Sequence, residues 1–416
     1  MGYKRTAFKG ISWMTGLQTL IRSFAFIKIA ILARILSPSD FGLYGIAALL
    51  LAFLQIITET GINVILVQSK KEVKEVLDSA WVISIIRGLI IFLGIIIASP
   101  FIAYFFKTPS VLGIILIISL APLISGFINP AEIIFQKELK FKYEFLFRAS
   151  LYFTDAIAAV LFALVTHSVY SLPIGLIASA LLEVILSFVF IRPIPKFKLN
   201  KKYFKEILHK GKWVTGYSIF NYFGENGDNI TVGKILGSAS LGAYQMAYRI
   251  ATLPITEISD VISKVTFPVY SKIEEDKKRL FLAFAKTTII SSICTIFLGL
   301  VIFIFSEQLV KIVLGSQWLI TVPVLKVLAI FGILKSILSP AAVVFLAAQK
   351  QKYLTMVLSV RLFILVATVI PLTFTFGIIG AAYSQIISIL IEYPIFAFLL
   401  YRIFKSQKYL VEQSLQ

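Results

Sequence analysis

The chain has 416 residues, of which 58% are hydrophobic and only 15% are charged, and its mean hydropathy is +0.91. Ordinary soluble domains are about 45–50% apolar and about 25% charged, so the composition excludes a soluble globular protein. Apolar stretches of about 20 residues recur along the chain, and each can cross a bilayer as a helix. Because helices satisfy their own backbone polar groups in lipid, we predict an all-α polytopic membrane protein.

In chain order, the apolar runs and the Gly and Pro residues between them predict about twelve transmembrane helices. The first six cover residues 11–36, 41–68, 79–106, 110–136, 146–168 and 170–192. The second six cover residues 212–237, 240–270, 280–305, 318–348, 353–376 and 378–402.

An internal repeat relates the two sets of six helices. A shift of 200 positions places Trp13–Tyr44 on Trp213–Tyr244 without a gap. A match at nearly half the chain length indicates a duplication. Six helices per copy is an even number, so both copies enter the membrane in the same direction and the repeat is parallel. We therefore predict an N-terminal six-helix lobe (1–192), a cytoplasmic amphipathic linker (193–211) and a C-terminal six-helix lobe (212–416).

The formal net charge of +19 raises the possibility of nucleic acid binding, but the positions of the basic residues argue against it. The termini and even-numbered loops hold 27 of the 40 Lys and Arg, and the odd-numbered loops hold four. Such a bias predicts a cell-membrane protein with both termini cytoplasmic. The basic linker is expected on the inner membrane surface, in contact with membrane lipids.

Ionisable residues inside the predicted spans are the candidates for function. Each costs at least about 2.5–3.5 kcal/mol at mid-bilayer, so they should face the bundle interior, pair, or line a water-filled cavity. The cations proposed to bind an anionic substrate are Arg22, Lys28, Arg87, Arg249, Lys286 and Arg361. Other charged residues, Glu59, Lys264, Lys326 and Lys335, lie towards helix ends, where side chains can snorkel.

Predicted helix 7 carries a polar face formed by Asn221, Glu225 and Asp228, with Asn229 at its margin. We interpret it as the wall of a hydrophilic cavity, because two carboxylates exceed what helix packing needs. The alternative is a polar link between helices. Together with Asp155 in helix 5, these residues are candidates for binding a coupling ion.

Two further pairings are predicted from spacing. Asp260 and Lys264 in helix 8 are placed to pair at i, i+4. Lys28 in helix 1 occupies the position of Asp228 in the repeat, so the two are hypothesised to line opposite walls of one cavity and to pair when it closes.

Other chemistry is nearly absent from the sequence. The two histidines, His167 and His209, have no Cys or carboxylate at metal-ligand spacing, and Cys294 is the only cysteine. We expect no metal site, no cofactor, no ATPase and no catalytic residue, and therefore no enzymatic activity.

Several motifs together resemble the polysaccharide transporter (Wzx-type) flippases of the multidrug/oligosaccharidyl-lipid/polysaccharide exporter superfamily. They are Ala33–Tyr44, Glu59–Gly61, Phe105–Pro109, Gln136–Lys142, Asn226–Gly237, Leu241–Arg249 and Leu253–Pro254. The resemblance implies two six-helix lobes in a V around a central cavity. It also implies alternating-access translocation of a polyprenyl-diphosphate-linked oligosaccharide, a cell-surface polysaccharide precursor, across the cytoplasmic membrane. Expected partners are this lipid-linked oligosaccharide, H+ or Na+ as a coupling ion, and a polysaccharide polymerase with glycosyltransferases.

Two other functions remain open at this point. An ion-coupled multidrug or organic-cation antiporter of the same superfamily would favour a net acidic cavity, whereas the intramembrane charges here are more basic. A membrane-embedded glycosyltransferase or polymer ligase would need a sizeable external loop with a catalytic carboxylate, and the predicted odd-numbered loops are short.

Overall fold

The computed structural model describes the backbone of residues 2–58, 73–138 and 140–413. Within these ranges the protein is almost entirely helical and contains no strand, which confirms the all-α prediction. The predicted helix residues 59–68, and with them Glu59, lie outside the described residues.

The described residues of the first half form eight helices and one 3-10 turn, Pro130–Ile133. The helices are α1 (Gly2–Ile35), α2 (Pro38–Ile57), α3 (Val73–Phe105), α4 (Val111–Ile118), α5 (Leu120–Ser125), α6 (Ile134–Lys137), α7 (Phe141–Thr166) and α8 (Ser171–Phe190).

In the second half, the part of the chain that the structure describes forms six helices and a 3-10 turn, Ser316–Thr321. The helices are α9 (Lys201–Leu236), α10 (Ser238–Lys272), α11 (Lys277–Ile304), α12 (Ser306–Val313), α13 (Val322–Ala347) and α14 (Gln351–Gln413). Gly377 interrupts α14 with φ 62° and ψ −141°, a conformation that glycine adopts without steric cost, so α14 is two consecutive helices.

Eight stretches of the described chain are long and apolar enough to cross a membrane. The last of them, Gln351–Lys405, is 55 residues long and includes the first half of α14 and most of the second. The remaining predicted spans are α9 and α10, which are richer in polar residues, and the shorter apolar segment Val111–Ser125. The helical segments therefore match the predicted set of about twelve.

The predicted repeat is visible in the helix joints. The first helix ends at Ile35 and the next begins at Pro38, while their repeat partners end at Leu236 and begin at Ser238. Ser37 caps α2 and forms a reciprocal capping box with Asp40. At the equivalent joint Gly237 adopts φ 84° and provides no side-chain cap. The two copies therefore bend the chain at the same place by different local chemistry.

By its internal contacts the chain divides into two compact units, Met1–Tyr222 and Phe223–Gln416, and the boundary lies within α9. Residues 193–200 of the predicted linker belong to the first unit. The backbone amide of Lys196 donates to Asp78 Oδ1 at 2.7 Å, and that of Asn200 donates to Ser79 Oγ at 3.0 Å. Linker residues 201–211 belong to α9. The placement of the linker on the membrane surface stays a prediction.

Candidate functional site

In the first unit, the candidate residues Lys28 and Asp155 form a direct ion pair between α1 and α7. Nζ of Lys28 lies 2.8 Å from Oδ1 and 2.7 Å from Oδ2 of Asp155. The two side chains are 12% and 16% exposed, so the pair is largely enclosed but not sealed. Pairing lowers the cost of placing both charges within a membrane-spanning bundle.

Aromatic contacts hold α1 against α7 on the N-terminal side of this pair. The rings of Trp13 and Phe145 are 5.1 Å apart, and those of Phe24 and Phe153 are 5.7 Å apart. The apolar contacts fix the two helices, and the ion pair sits at a defined place between them.

Two further arginines link helices in the first unit. Arg87 on α3 donates to the carbonyl oxygen of Gln55 at 2.9 Å and to Thr58 Oγ1 at 3.3 Å, at the end of α2. Arg148 lies within α7. It pairs with Glu183 of α8 at 2.6 Å and with Glu132 at 3.1 Å.

In the second unit, Asp228 is completely buried and accepts hydrogen bonds from neutral donors. Its Oδ2 accepts from the Tyr244 hydroxyl at 2.7 Å and from Gln385 Nε2 at 2.6 Å. Its Oδ1 accepts from the backbone and side-chain amides of Asn229 at 2.8 and 3.1 Å. In this conformation the carboxylate links α9, α10 and the second half of α14.

Gln385 connects this carboxylate to a buried arginine. Its Oε1 accepts from Arg361 Nη2 at 3.1 Å. Because a guanidinium only donates, Gln385 must turn its oxygen towards Arg361 and its nitrogen towards Asp228. Nε of Arg361 also lies 3.6 Å from Glu392 Oε1, and these two side chains are 7% and 8% exposed. We call Tyr244, Asp228, Gln385, Arg361 and Glu392 the buried network.

A second ion pair lies beside the buried network. Nζ of Lys335 on α13 lies 3.4 Å from Glu225 Oε1, and both side chains are partly exposed, at 30% and 40%. The ring of Phe331 is 5.9 Å from Nζ of Lys335 and 5.6 Å from the guanidinium of Arg361. The expectation that Lys335 snorkels is wrong, because its ammonium turns to Glu225 instead.

The remaining candidates lie on exposed helix surfaces: Arg22, Asn221, Arg249 and Lys286. Asp260 and Lys264 are also exposed, and among the described residues no ion pair joins them, so the predicted i, i+4 pair is absent. Lys28 and Asp228 each have partners within their own unit. Their approach across a shared cavity stays a prediction.

Sequence reasoning missed the residues that complete the buried network. The repeat marks Tyr244 only as a shared position, Gln385 carries no charge, and Glu392 is a lone acid without an evident partner. The available signal was the spacing of Gln385 and Glu392 within an apolar run. Residues seven positions apart are two helical turns apart and therefore lie on one face of a helix.

The described part of the chain contains no group of three or more His, Cys, Asp or Glu side chains that could hold a metal ion. Chemically, the polar groups of each unit are paired charges, amides and hydroxyls between helices. Such an arrangement can bind ions and polar groups and can hold or release helices.

Comparison with known proteins identifies the family. The family model described as "Polysaccharide biosynthesis protein" matches residues 31–323, which is more than half of the chain. The chain belongs to this family. Its match includes the first joint of the repeat, Asp155 of the ion pair in the first unit, and Asp228 with Tyr244.

Two curated relatives cover most of the chain. An uncharacterized membrane protein in the cps region of Klebsiella pneumoniae is 27% identical over 93% of this chain and 80% of its own length. The lipopolysaccharide biosynthesis protein WzxC of Escherichia coli K12 is 24% identical over 84% of this chain and 72% of its own length.

Two solved structures share the fold. The lipid II flippase MurJ in an inward closed conformation has a TM-score of 0.75, with 18% identity, 95% of this chain and 89% of that chain covered. An inward-facing multidrug resistance MATE family transporter of the MOP superfamily has a TM-score of 0.67 and is 16% identical. That alignment covers 93% of this chain and 96% of the transporter. This family member is therefore a multi-pass membrane protein with the fold of that superfamily, as the sequence motifs predicted.

Proposed function

We propose that this protein is a flippase that moves a polyprenyl-diphosphate-linked oligosaccharide, a precursor of a cell-surface polysaccharide, across the cytoplasmic membrane by alternating access. The observation that carries the proposal is the family match over residues 31–323 on a flippase-like fold. The name of WzxC, a lipopolysaccharide biosynthesis protein, supports the same class of substrate.

The intramembrane charges suit such a substrate. A diphosphate is anionic and a glycan is polar, and both must be shielded from the hydrocarbon. Basic side chains can neutralise the diphosphate, for which we propose Arg22, Lys28, Arg87, Arg249, Lys286 and Arg361. Asn221 and Asn229 offer amides for the glycan. Arg361 is 6% exposed in this conformation, so it would contact substrate only after the buried network rearranges.

Coupling to an ion is the second part of the proposal. Asp155, Glu225 and Asp228 are the carboxylates proposed to bind H+ or Na+ during the cycle. Of these, Asp228 has the most distinctive surroundings, because its four hydrogen bonds come from neutral groups. A carboxylate without a directly bonded cation has its charge available for an incoming one.

The proposed orientation places both termini in the cytoplasm, as the distribution of Lys and Arg predicts. A polysaccharide polymerase and glycosyltransferases would act before and after translocation, and the protein itself would perform no covalent chemistry. Reporter fusions that are active only outside or only inside the cytoplasm, placed at the termini and at the joint near residue 237, test the orientation.

The function is tested by deletion of the gene and by complementation. We expect lipid-linked repeat units to accumulate on the cytoplasmic side and surface polysaccharide to be lost, with both restored by the wild-type chain. If polysaccharide export were unchanged and drug sensitivity rose, the proposal would be wrong and the multidrug antiporter function would replace it.

A further inference from the structure

We propose that the Lys28–Asp155 pair is an exchange site, at which the substrate diphosphate takes Lys28 from Asp155 and Asp155 takes up a proton in return. The inference rests on the proposed function and adds to it a coupling between substrate binding and proton uptake. It concerns only the first unit of the molecule.

The pair consists of one cation and one anion that contact each other directly. Both oxygens of Asp155 contact the same Lys28 ammonium, at 2.8 and 2.7 Å. Within the described part of the chain, Lys28 is the only hydrogen-bond donor to this carboxylate. Both side chains keep some exposed surface, 12% and 16%, which an anion and a proton would have to reach.

On the side of α8, the Asp155 carboxylate has little room to follow Lys28 if the lysine turns to another anion. The backbone of α8 passes directly over the carboxylate at Gly175. A Cβ atom added to Gly175 would lie 2.6 Å from Asp155 Oδ1, 2.7 Å from the Asp155 carbonyl oxygen and 2.9 Å from Ala159 Cβ. The flexible partner is therefore Lys28, whose long side chain can move its ammonium while Asp155 stays fixed.

Among the described residues, no second cation is placed to neutralise the Asp155 carboxylate after Lys28 has moved away. The charged side chains on the described parts of the helices that pack against α7 are Arg22 and Arg34 on α1, Lys137 on α6, and Glu183 on α8. Arg22 and Arg34 are each six residues from Lys28, about 9 Å along the helix axis. On α7 itself, Arg148 is two turns away and shared by Glu132 and Glu183, and Glu144 and Lys142 lie further still.

Charge balance then determines the state of Asp155 after displacement. Before binding, the ammonium and the carboxylate neutralise each other. When a phosphate oxygen takes the ammonium, an ionised Asp155 would be left as an uncompensated charge in the membrane interior, which is strongly unfavourable. A proton from water converts it to the neutral acid, and no other bond forms or breaks. The substrate charge enters the site together with a proton.

The test uses the full-length protein in lipid nanodiscs and a short-chain polyprenyl diphosphate N-acetylglucosamine, a diphosphate diester whose own charge stays constant between mildly acidic and mildly alkaline pH. Proton uptake is followed with a pH-sensitive dye in weak buffer, and affinity by titration. For the wild type we expect about one proton per bound ligand, with tighter binding at lower pH because proton uptake and ligand binding are linked.

Two variants and a control separate the roles. Asp155→Asn mimics the neutral acid, so it should bind the probe more tightly than the wild type, without proton uptake and without pH dependence. Lys28→Met should bind at least about tenfold more weakly. Glu307→Gln is the control: this exposed residue lies outside the spans, and the hydrogen bond and charge of Lys311 lower the pKa of Glu307. It should behave as the wild type.

The outcomes distinguish the exchange from the function on which it rests. Wild-type binding without proton uptake would overturn the exchange and leave the flippase proposal intact, as would an Asp155→Asn variant with the wild-type pH dependence. The wild-type measurement needs no variant to fold. If the wild type failed to bind the probe at any pH, the proposed function would fall and the exchange with it.

Discussion

The two units differ in how an acid and a base of their membrane-spanning helices are connected. In the first unit, Lys28 on α1 contacts Asp155 on α7 directly. In the second unit the equivalent repeat position is Asp228, an acid, and Gln385 stands between it and the basic residue Arg361. The first pair is partly exposed, whereas Asp228 has no exposed surface. The duplication preserved the helices, but the partly open pair suits exchange and the enclosed network suits holding helices together.

The largest difference in stability between the two units is expected when the charges within each unit are exchanged. Lys28→Asp with Asp155→Lys restores opposite charges at the same two positions, so its loss should be limited to about 1–3 kcal/mol for packing the longer lysine beneath Gly175. Asp228→Arg with Arg361→Asp would place a cation against the donors Tyr244 and Asn229, and an acid beside Glu392. We expect it to lose at least about 3–5 kcal/mol, the cost of uncompensated buried charge. Thermal unfolding in detergent measures both, and equal losses would contradict the comparison.

Removing the amide that separates Asp228 from Arg361 should have the next largest effect. Gln385→Leu leaves a buried acceptor and a buried donor without this partner, and we expect a loss of about 1–3 kcal/mol. The control is Gln351→Leu, which replaces an exposed glutamine at the start of α14. The measurement is again thermal unfolding, and a Gln385 variant as stable as this control would show that the bridge is not structural.

The close approach of α8 to Asp155 is tested by adding one methyl group. Gly175→Ala places a Cβ within 2.6 Å of Oδ1 and should cost about 1–3 kcal/mol of overpacking. Gly224→Ala on α9 meets no atom within 4 Å and should be neutral or slightly stabilising. If unfolding experiments gave both alanines the same effect, Asp155 would not be held as tightly as the exchange requires.

The smallest effect is expected at the second ion pair of the second unit. Lys335→Met removes a contact of 3.4 Å between side chains that are 30% and 40% exposed. Solvent-screened pairs contribute about 0–1 kcal/mol, so the melting temperature should hardly change. A loss as large as that of Gln385→Leu would mean that Lys335 belongs to the buried network.

The sequence predicted the helices well because apolar length and periodicity act locally. Such patterns predicted the set of about twelve helices, the repeat, and the joints near residues 36 and 237. The predicted helix 212–237 begins earlier in the structure. Residues 201–211 of the predicted linker form its first turns, because they continue the helical backbone without a break.

The partners of charged residues could not be predicted in the same way. Composition showed that Lys28, Asp155, Asp228 and Arg361 must be shielded from lipid, but not which side chains meet. Lys28 and Asp155 are 127 positions apart, and Asp228 and Gln385 are 157 apart. Only the packing of distant helices determines such contacts. Gln385 carries no charge, so it gave no warning of its role.

The most direct test of the account is translocation by a chain whose exchange site has been made neutral. Lys28→Met combined with Asp155→Leu replaces the ion pair with apolar side chains, a change that is often neutral or stabilising for folding. In proteoliposomes, movement of a fluorescent polyprenyl-diphosphate glycan between leaflets is read by chemical quenching of the outer leaflet. The account predicts movement with the wild type, and a stably folded double variant that moves none. Movement by the double variant at the wild-type rate would contradict it.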